Sequence, residues 1–140
     1  MRYVGAKVRQ AHRTAEIIVD FSDNRTVYHE PCMGGGSSAS ANVSFFKTAY
    51  LSDICPELIY FWDKVTSGWN PPEKMSRDEW LRLKNSSDIS DFPLKAWAAF
   101  AASYNGKYFA GYGPVASGRD YLAESLRATI RKAESFKKHK

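Results

Sequence analysis

Cysteine and histidine are scarce in this 140-residue chain: there are two cysteines, Cys32 and Cys55, and three histidines, His12, His29 and His139. Neither set has a spacing that unites it with a carboxylate into a metal site, so no metal is implied, and both thiols are expected to be small packing residues rather than a disulfide. Long apolar runs are also missing. The longest, such as Ala96 to Ala102, fall far short of the ~20 residues that cross a membrane. Met1-Arg2 leads into Tyr3-Val4-Gly5-Ala6-Lys7 and not into an apolar signal core, so a cytoplasmic location is expected. No internal repeat is present, and no histidine is placed to activate Ser37 or Ser38 as a nucleophile.

Negative charge is the scarcer sign, with 15 acidic against 20 basic side chains and a formal charge of +5. The excess lies at the ends, in Lys7, Arg9 and Arg13 and from Arg127 to Lys140. Basic ends favour a polyanionic partner, and they also keep a small protein soluble; both readings stay open. The length suits one domain, residues 1–140, burying roughly two thirds of the surface its unfolded chain exposes.

What is present reads as alternating elements. Arg9 to Val19 places Ala11, Ala15, Ile18 and Val19 on one helical face and ends at the turn-rich Asp20-Phe21-Ser22-Asp23-Asn24. A strand, Thr26 to His29, enters a glycine loop, and Ser38 to Phe46 reads as a helix. Lys47 to Ser52 suits a second strand, and Pro56 opens the next helix. This order predicts an α/β fold with a parallel sheet flanked by helices. Gly68-Trp69-Asn70-Pro71-Pro72 interrupts it. Ser76 with Glu79 makes a capping box for a short helix through Leu83. Pro93 to Ser103 is predicted helical, Tyr104 to Gly118 a hairpin or loop, and Asp120 to Phe136 an amphipathic helix with Leu122, Leu126 and Ile130 on its apolar face.

The chemistry concentrates in Glu30-Pro31-Cys32-Met33-Gly34-Gly35-Gly36-Ser37-Ser38-Ala39. Three glycines between a strand and a helix let backbone approach a ligand closely. Gly34, Gly36 and Ala39 fit the G-x-G-x-x-G/A spacing, and Asp53 follows Gly34 at about the 20-residue interval of a ribose-binding acid. The pattern predicts an adenosine-bearing ligand. Glu30 is poorly placed for a pyrophosphate and suits the amino or cationic part of a ligand such as S-adenosylmethionine, or else caps the following helix.

Several segments then align in order with one known pattern. Tyr3-Val4-Gly5-Ala6-Lys7 resembles an aromatic-x-Gly-Gly-Lys cofactor motif, with Ala6 in place of the second glycine. Glu30 to Gly36 resembles Glu-Pro-Phe-x-Gly-Gly-Gly, with Cys32 in place of the aromatic. Ser52-Asp53-Ile54-Cys55-Pro56-Glu57-Leu58-Ile59 resembles Asn-Asp-x-Asn-x-x-Leu-Ile, and Ser103 to Gly113 resembles a glycine-aromatic segment that meets DNA. Together, through essentially the whole chain, they resemble the Dam-type adenine-specific DNA methyltransferases, particularly the versions found in phages.

That resemblance implies a partial Rossmann-like methyltransferase fold lacking the later strands, with S-adenosylmethionine as cofactor. Residues 1–68 would be the cofactor-binding part, 69–118 an insert like the DNA-recognition region, and 119–140 a basic helix and tail. Tyr3, Gly5, Lys7, Glu30, Pro31, Gly34, Gly35, Gly36, Asp53 and Ile54 would hold the cofactor. Lys107, Tyr112, Arg119 and Arg127 would meet double-stranded DNA, with Arg131 and Lys132 as further phosphate contacts and Tyr108, Phe109 and Tyr112 against bases, unless those aromatics are core. The family's catalytic Asp-Pro-Pro-Tyr is not among these residues, and Glu73 of Asn70-Pro71-Pro72-Glu73 has no stacking face, so no catalytic residue is assigned. A truncated or split enzyme is expected. The alternative is a non-catalytic relative that binds DNA, cofactor or a methyltransferase and modulates methylation or restriction; a nicotinamide-dependent oxidoreductase is a more remote reading. Two strands alone leave unpaired edges, to be covered by a second copy, a complementing second-half polypeptide, or the glycine-aromatic segment.

Overall fold

The computed structural model describes residues 1–116 and 118–137; Lys138 to Lys140, the end of the basic tail and the site of His139, lie outside the described residues. The chain is mixed α/β with helix predominating. It runs α1 (Ala11–Asp20), β1 (Val27–Glu30), α2 (Ser37–Asn42), β2 (Thr48–Leu51), α3 (Pro56–Thr66), α4 (Arg77–Asn85), α5 (Phe92–Ala96), two short strands β3 (Val115–Ala116) and β4 (Arg119–Asp120), and α6 (Tyr121–Lys137).

β1 and β2 are parallel, with Val27 opposite Thr48 and Glu30 opposite Leu51. Alternation gives the pair two unlike faces. Tyr28, Glu30, Ala49 and Leu51 are wholly or partly buried, while Val27, His29, Thr48 and Tyr50 are exposed. Tyr28 is held by the ring of Phe46 at 5.4 Å. α1 packs on α2 through side chains small enough for close approach, Ala11 and Ala15 against Ala41. Pro56 opens α3 at the position where a missing N–H costs nothing. Leu58, Phe61, Trp62 and Val65 then form one buried stripe.

That stripe meets α5 and the residue that follows it, Trp97, on which Phe61 stacks with ring centroids 5.9 Å apart. From Trp97 to Ala101 the helix widens into a π turn, which leaves Ala98 O available to the Trp80 indole at 3.2 Å and to Ser103 Oγ at 2.8 Å. α4 starts on the expected cap, with Ser76 Oγ accepting the Glu79 N–H at 3.1 Å. The glycine-aromatic segment is a closed loop. A 3₁₀ turn at Tyr104–Gly106 is tied by Tyr104 N–H to Gly111 O at 2.7 Å and by a single bridge between Ser103 and Tyr112. It does not cover the parallel sheet, whose two strands pair only with each other among the described residues.

Two expectations need correction. α6 buries Leu122, Ser125, Thr129, Ala133 and Phe136, with Leu126 at the margin and Ile130 40% exposed. The helix is rolled so that Phe136 reaches Trp62, 5.2 Å between ring centroids, and Ser125 Oγ accepts the Arg2 N–H at 3.2 Å. Cys32 is exposed rather than packed, because the turn after β1 points it outward and sends Met33 into the core. No helix among the described residues is long and apolar enough to cross a membrane.

Candidate functional site

The glycine loop and Asp53 meet at the carboxyl ends of β1 and β2, where ligands bind in open parallel α/β sheets. The sheet ladder continues past the strands, with Ser52 N–H on Glu30 O at 2.9 Å and Met33 N–H on Ser52 O at 3.0 Å. This brings Asp53 against the loop. Its Oδ2 accepts the Gly34 N–H at 2.8 Å, and its Oδ1 accepts the Cys55 N–H at 3.0 Å. Each oxygen keeps a lone pair. Beside it the Ile54 side chain is fully exposed, an apolar group on a turn with nothing of its own chain to cover it.

The glycines are needed, for a reason the pattern did not show. A Cβ on Gly35 would lie 2.8 Å from Tyr3 Cβ, and one on Gly36 would lie 3.0 Å from the Trp62 ring and 3.2 Å from Phe136. Gly34 and Gly36 also adopt left-handed backbone, with φ of 46° and 69°. The close approach that glycine permits is thus made by the protein's own aromatics. Trp62 adds a hydrogen bond from its indole to Gly34 O at 3.1 Å. Tyr3 lies over the loop, and burial, followed by the nearby Asp53 carboxylate, raises the pKa of its hydroxyl.

Lys132 overturns its expected role. It does not project toward phosphates; its Nζ reaches back from α6 to donate to Gly35 O at 2.6 Å and Ser37 Oγ at 2.8 Å. Burial, with Arg131 nearby, lowers its pKa to about 8. Glu30 takes the Tyr28 hydroxyl, and burial together with that bond raises the Tyr28 pKa to about 12. The helix-cap reading of Glu30 is excluded, since α2 has Gly36 at its N-cap and no side-chain cap. Pro31 is exposed in the turn. Gly5 supplies the φ of 80° in the turn after Tyr3. Exposed Lys7 lies along a groove of about 400 Å³ made by residues 5–10, so it is not joined to the loop as Tyr3 and Asp53 are.

The four residues expected to meet DNA are all exposed but differently engaged. Arg119 forms a two-pronged pair with Glu124 at 2.9 and 2.6 Å. Tyr112 donates to Met75 O at 2.7 Å and sits 6.2 Å from the Trp80 ring, so its hydroxyl is committed to the fold. Lys107 and Arg127 face solvent. Phe109 is buried with φ of 44° and is unavailable to bases. Arg2 and Tyr121, neither of them a candidate by sequence, join Arg119 in this region. The guanidiniums of Arg2 and Arg119 flank the Tyr121 ring at 4.1 and 5.1 Å, and a groove of about 430 Å³ runs past them and the largely exposed Tyr104. The position of Arg2 beside the Tyr3 motif was the one available signal. Among the described residues no cluster of histidine, cysteine or carboxylate groups could hold a metal ion.

None of the known protein-family models, curated proteins or solved structures matches this chain.

Proposed function

We propose that this chain is the cofactor-holding part of an adenine-specific DNA methyltransferase of Rossmann-like fold, working on double-stranded DNA with S-adenosylmethionine. The observation that carries the reading is the junction at Asp53. One carboxylate at the end of β2 holds the Gly34 N–H of the loop that ends β1, and the next residue presents a bare isoleucine. An acid with spare lone pairs beside an exposed apolar side chain suits a ribose joined to a purine. In this reading Asp53 accepts the ribose hydroxyls, Ile54 lies against the adenine, and Glu30 and the loop flank the methionine end. Tyr3 fixes the loop, while Gly5 and Lys7 line the separate groove of residues 5–10.

The bound cofactor would supply an electrophilic methyl group for the adenine amine. The acid-proline-proline-aromatic motif that would orient that amine is not in this sequence, so transfer is assigned to these residues together with others outside them that carry the motif, in the cytoplasm of the cell that makes it. The exposed sheet face at Val27, His29 and Tyr50 supports such an arrangement, because parallel sheets are normally covered on both faces.

A second reading, a non-catalytic relative that binds DNA, cofactor or a methyltransferase, is favoured by one observation: Tyr3, Trp62, Phe136 and Lys132 already fill the approaches to the three glycines. Calorimetric titration with S-adenosylmethionine tests cofactor binding, and no heat at millimolar ligand sinks the first reading. Labelled cofactor with an adenine-containing duplex then separates the two: methylated DNA, from the chain alone or with a complementing polypeptide, supports the enzyme, and binding without transfer in both settings supports the non-catalytic relative.

A further inference from the structure

The aromatic segment at residues 104–113 and the Asp53 junction are joined by two physical routes. The first is a line of hydrogen bonds. The Tyr108 hydroxyl donates to Glu57 Oε1 at 3.0 Å, and the Cys55 thiol donates to Glu57 Oε2 at 3.2 Å. The Cys55 N–H then donates to Asp53 Oδ1, whose other oxygen holds the Gly34 N–H. Lys95 stands 3.8 Å from Glu57 and is itself anchored on Ser86 O at 2.6 Å. The second route is a column of rings. Tyr108 lies 5.6 Å from Phe100, and Phe100 lies 4.9 Å from Tyr3, whose side chain covers Gly34 and Gly35.

Glu57 has no separate task in the cofactor reading, yet it is a buried carboxylate at the start of a helix. Such a group is costly unless its oxygens are occupied. They are occupied by one residue from each side of the junction. Tyr108 is half exposed, so it can respond to whatever engages its segment, while its hydroxyl is fixed inside. The tightness of the rest of the loop favours transmission over slack: Phe109 N–H is bound to Ala99 O at 3.0 Å and Val4 N–H to Gly106 O at 2.9 Å.

We infer that Glu57 and Tyr108 are positioning residues that tie the aromatic segment to the Asp53 carboxylate and the glycine loop, so that a duplex engaging that segment and an adenosine-bearing ligand at Asp53 bind with linked affinities. The linkage rests on the function proposed above; the positioning rests on the geometry alone. Linkage is reciprocal, so whatever the duplex does to cofactor affinity the cofactor does to duplex affinity.

The test uses the full chain labelled with nitrogen-15. Tyr108→Phe keeps the ring column and removes only the hydroxyl. The expected result is a shift of the Cys55 and Gly34 amide resonances and hydrogen exchange at those two amides faster by about threefold or more, with exchange elsewhere unchanged. Tyr104→Phe, a largely exposed ring on the same segment, should leave both amides as they are. Unmoved Cys55 and Gly34 amides in Tyr108→Phe, or exchange accelerated evenly through the molecule as a merely structural role would give, overturn the positioning. Cofactor titrations with and without an adenine-containing duplex then test the linkage. Wild type should show at least about a fivefold difference in affinity, falling toward none in Tyr108→Phe. Equal affinities in wild type refute the linkage. If wild type binds no cofactor in either titration, the methyltransferase reading and the linkage built on it both fall, while the amide result still decides the positioning.

Discussion

Lys132→Met isolates the contact that pins α6 to the glycine loop. The variant keeps an unbranched apolar stem of similar length and removes the donor to Gly35 O and Ser37 Oγ. Because the folded-state pKa is about 8 against an ordinary 10.5, the unfolded chain holds more protons than the folded chain between those two values. Stability contributed by this group therefore rises with pH through that window and is at its lowest where the folded lysine is fully charged. Integrating between pH 7 and 9 gives a gain of about 1 kcal/mol for wild type that Lys132→Met lacks. Cys55 acts oppositely: burial and then its bond to Glu57 raise its thiol to about 12, so its contribution declines from about pH 9 upward. That decline is common to both proteins and cancels in their difference. Urea unfolding of both at pH 7 and pH 9 reads the effect directly. A wild-type-minus-variant difference that stays constant across the two pH values refutes the buried ammonium.

Other consequences follow from the same geometry. Gly35→Ala drives a methyl into Tyr3 Cβ, a neighbour with no flexible end to move aside, and should cost about 1–3 kcal/mol in urea unfolding. Ser76→Ala removes the α4 cap and should cost about 1 kcal/mol by the same assay. Ile54→Ser leaves stability within about 0.5 kcal/mol, since the side chain touches nothing, but it should weaken S-adenosylmethionine binding about fivefold by calorimetry, the loss of roughly half a buried isoleucine.

The elements were legible where local chemistry decides them. The Asp20 to Asn24 cluster ends α1, Pro56 opens α3 and Ser76 caps α4, each within a residue or two of the place its side-chain chemistry marks. The faces were less legible. Ile130 follows Leu122 and Leu126 at perfect helical spacing, yet α6 turns Ser125 and Thr129 inward because Phe136 is drawn to Trp62 and Gly36. In the candidate site, the spacing of Gly34 and Asp53 anticipated that they meet, but not that the carboxylate would hold the loop's own amide. Lys132 was hidden because its partner carbonyl lies about a hundred residues away and belongs to a glycine, which leaves no side-chain pattern to read. Glu57 was hidden likewise, its partner Tyr108 lying on a distant loop.

The central claim is that an adenosine-bearing cofactor sits on the Asp53 junction. Titrating the labelled full chain with S-adenosylmethionine, while following backbone amides, tests it at the residues themselves. The account predicts saturable shifts at Gly34, Asp53, Ile54 and Cys55 below millimolar ligand, abolished or weakened in Ile54→Ser. Amides that stay fixed at millimolar cofactor, or shifts confined to surfaces away from the loop, would contradict it.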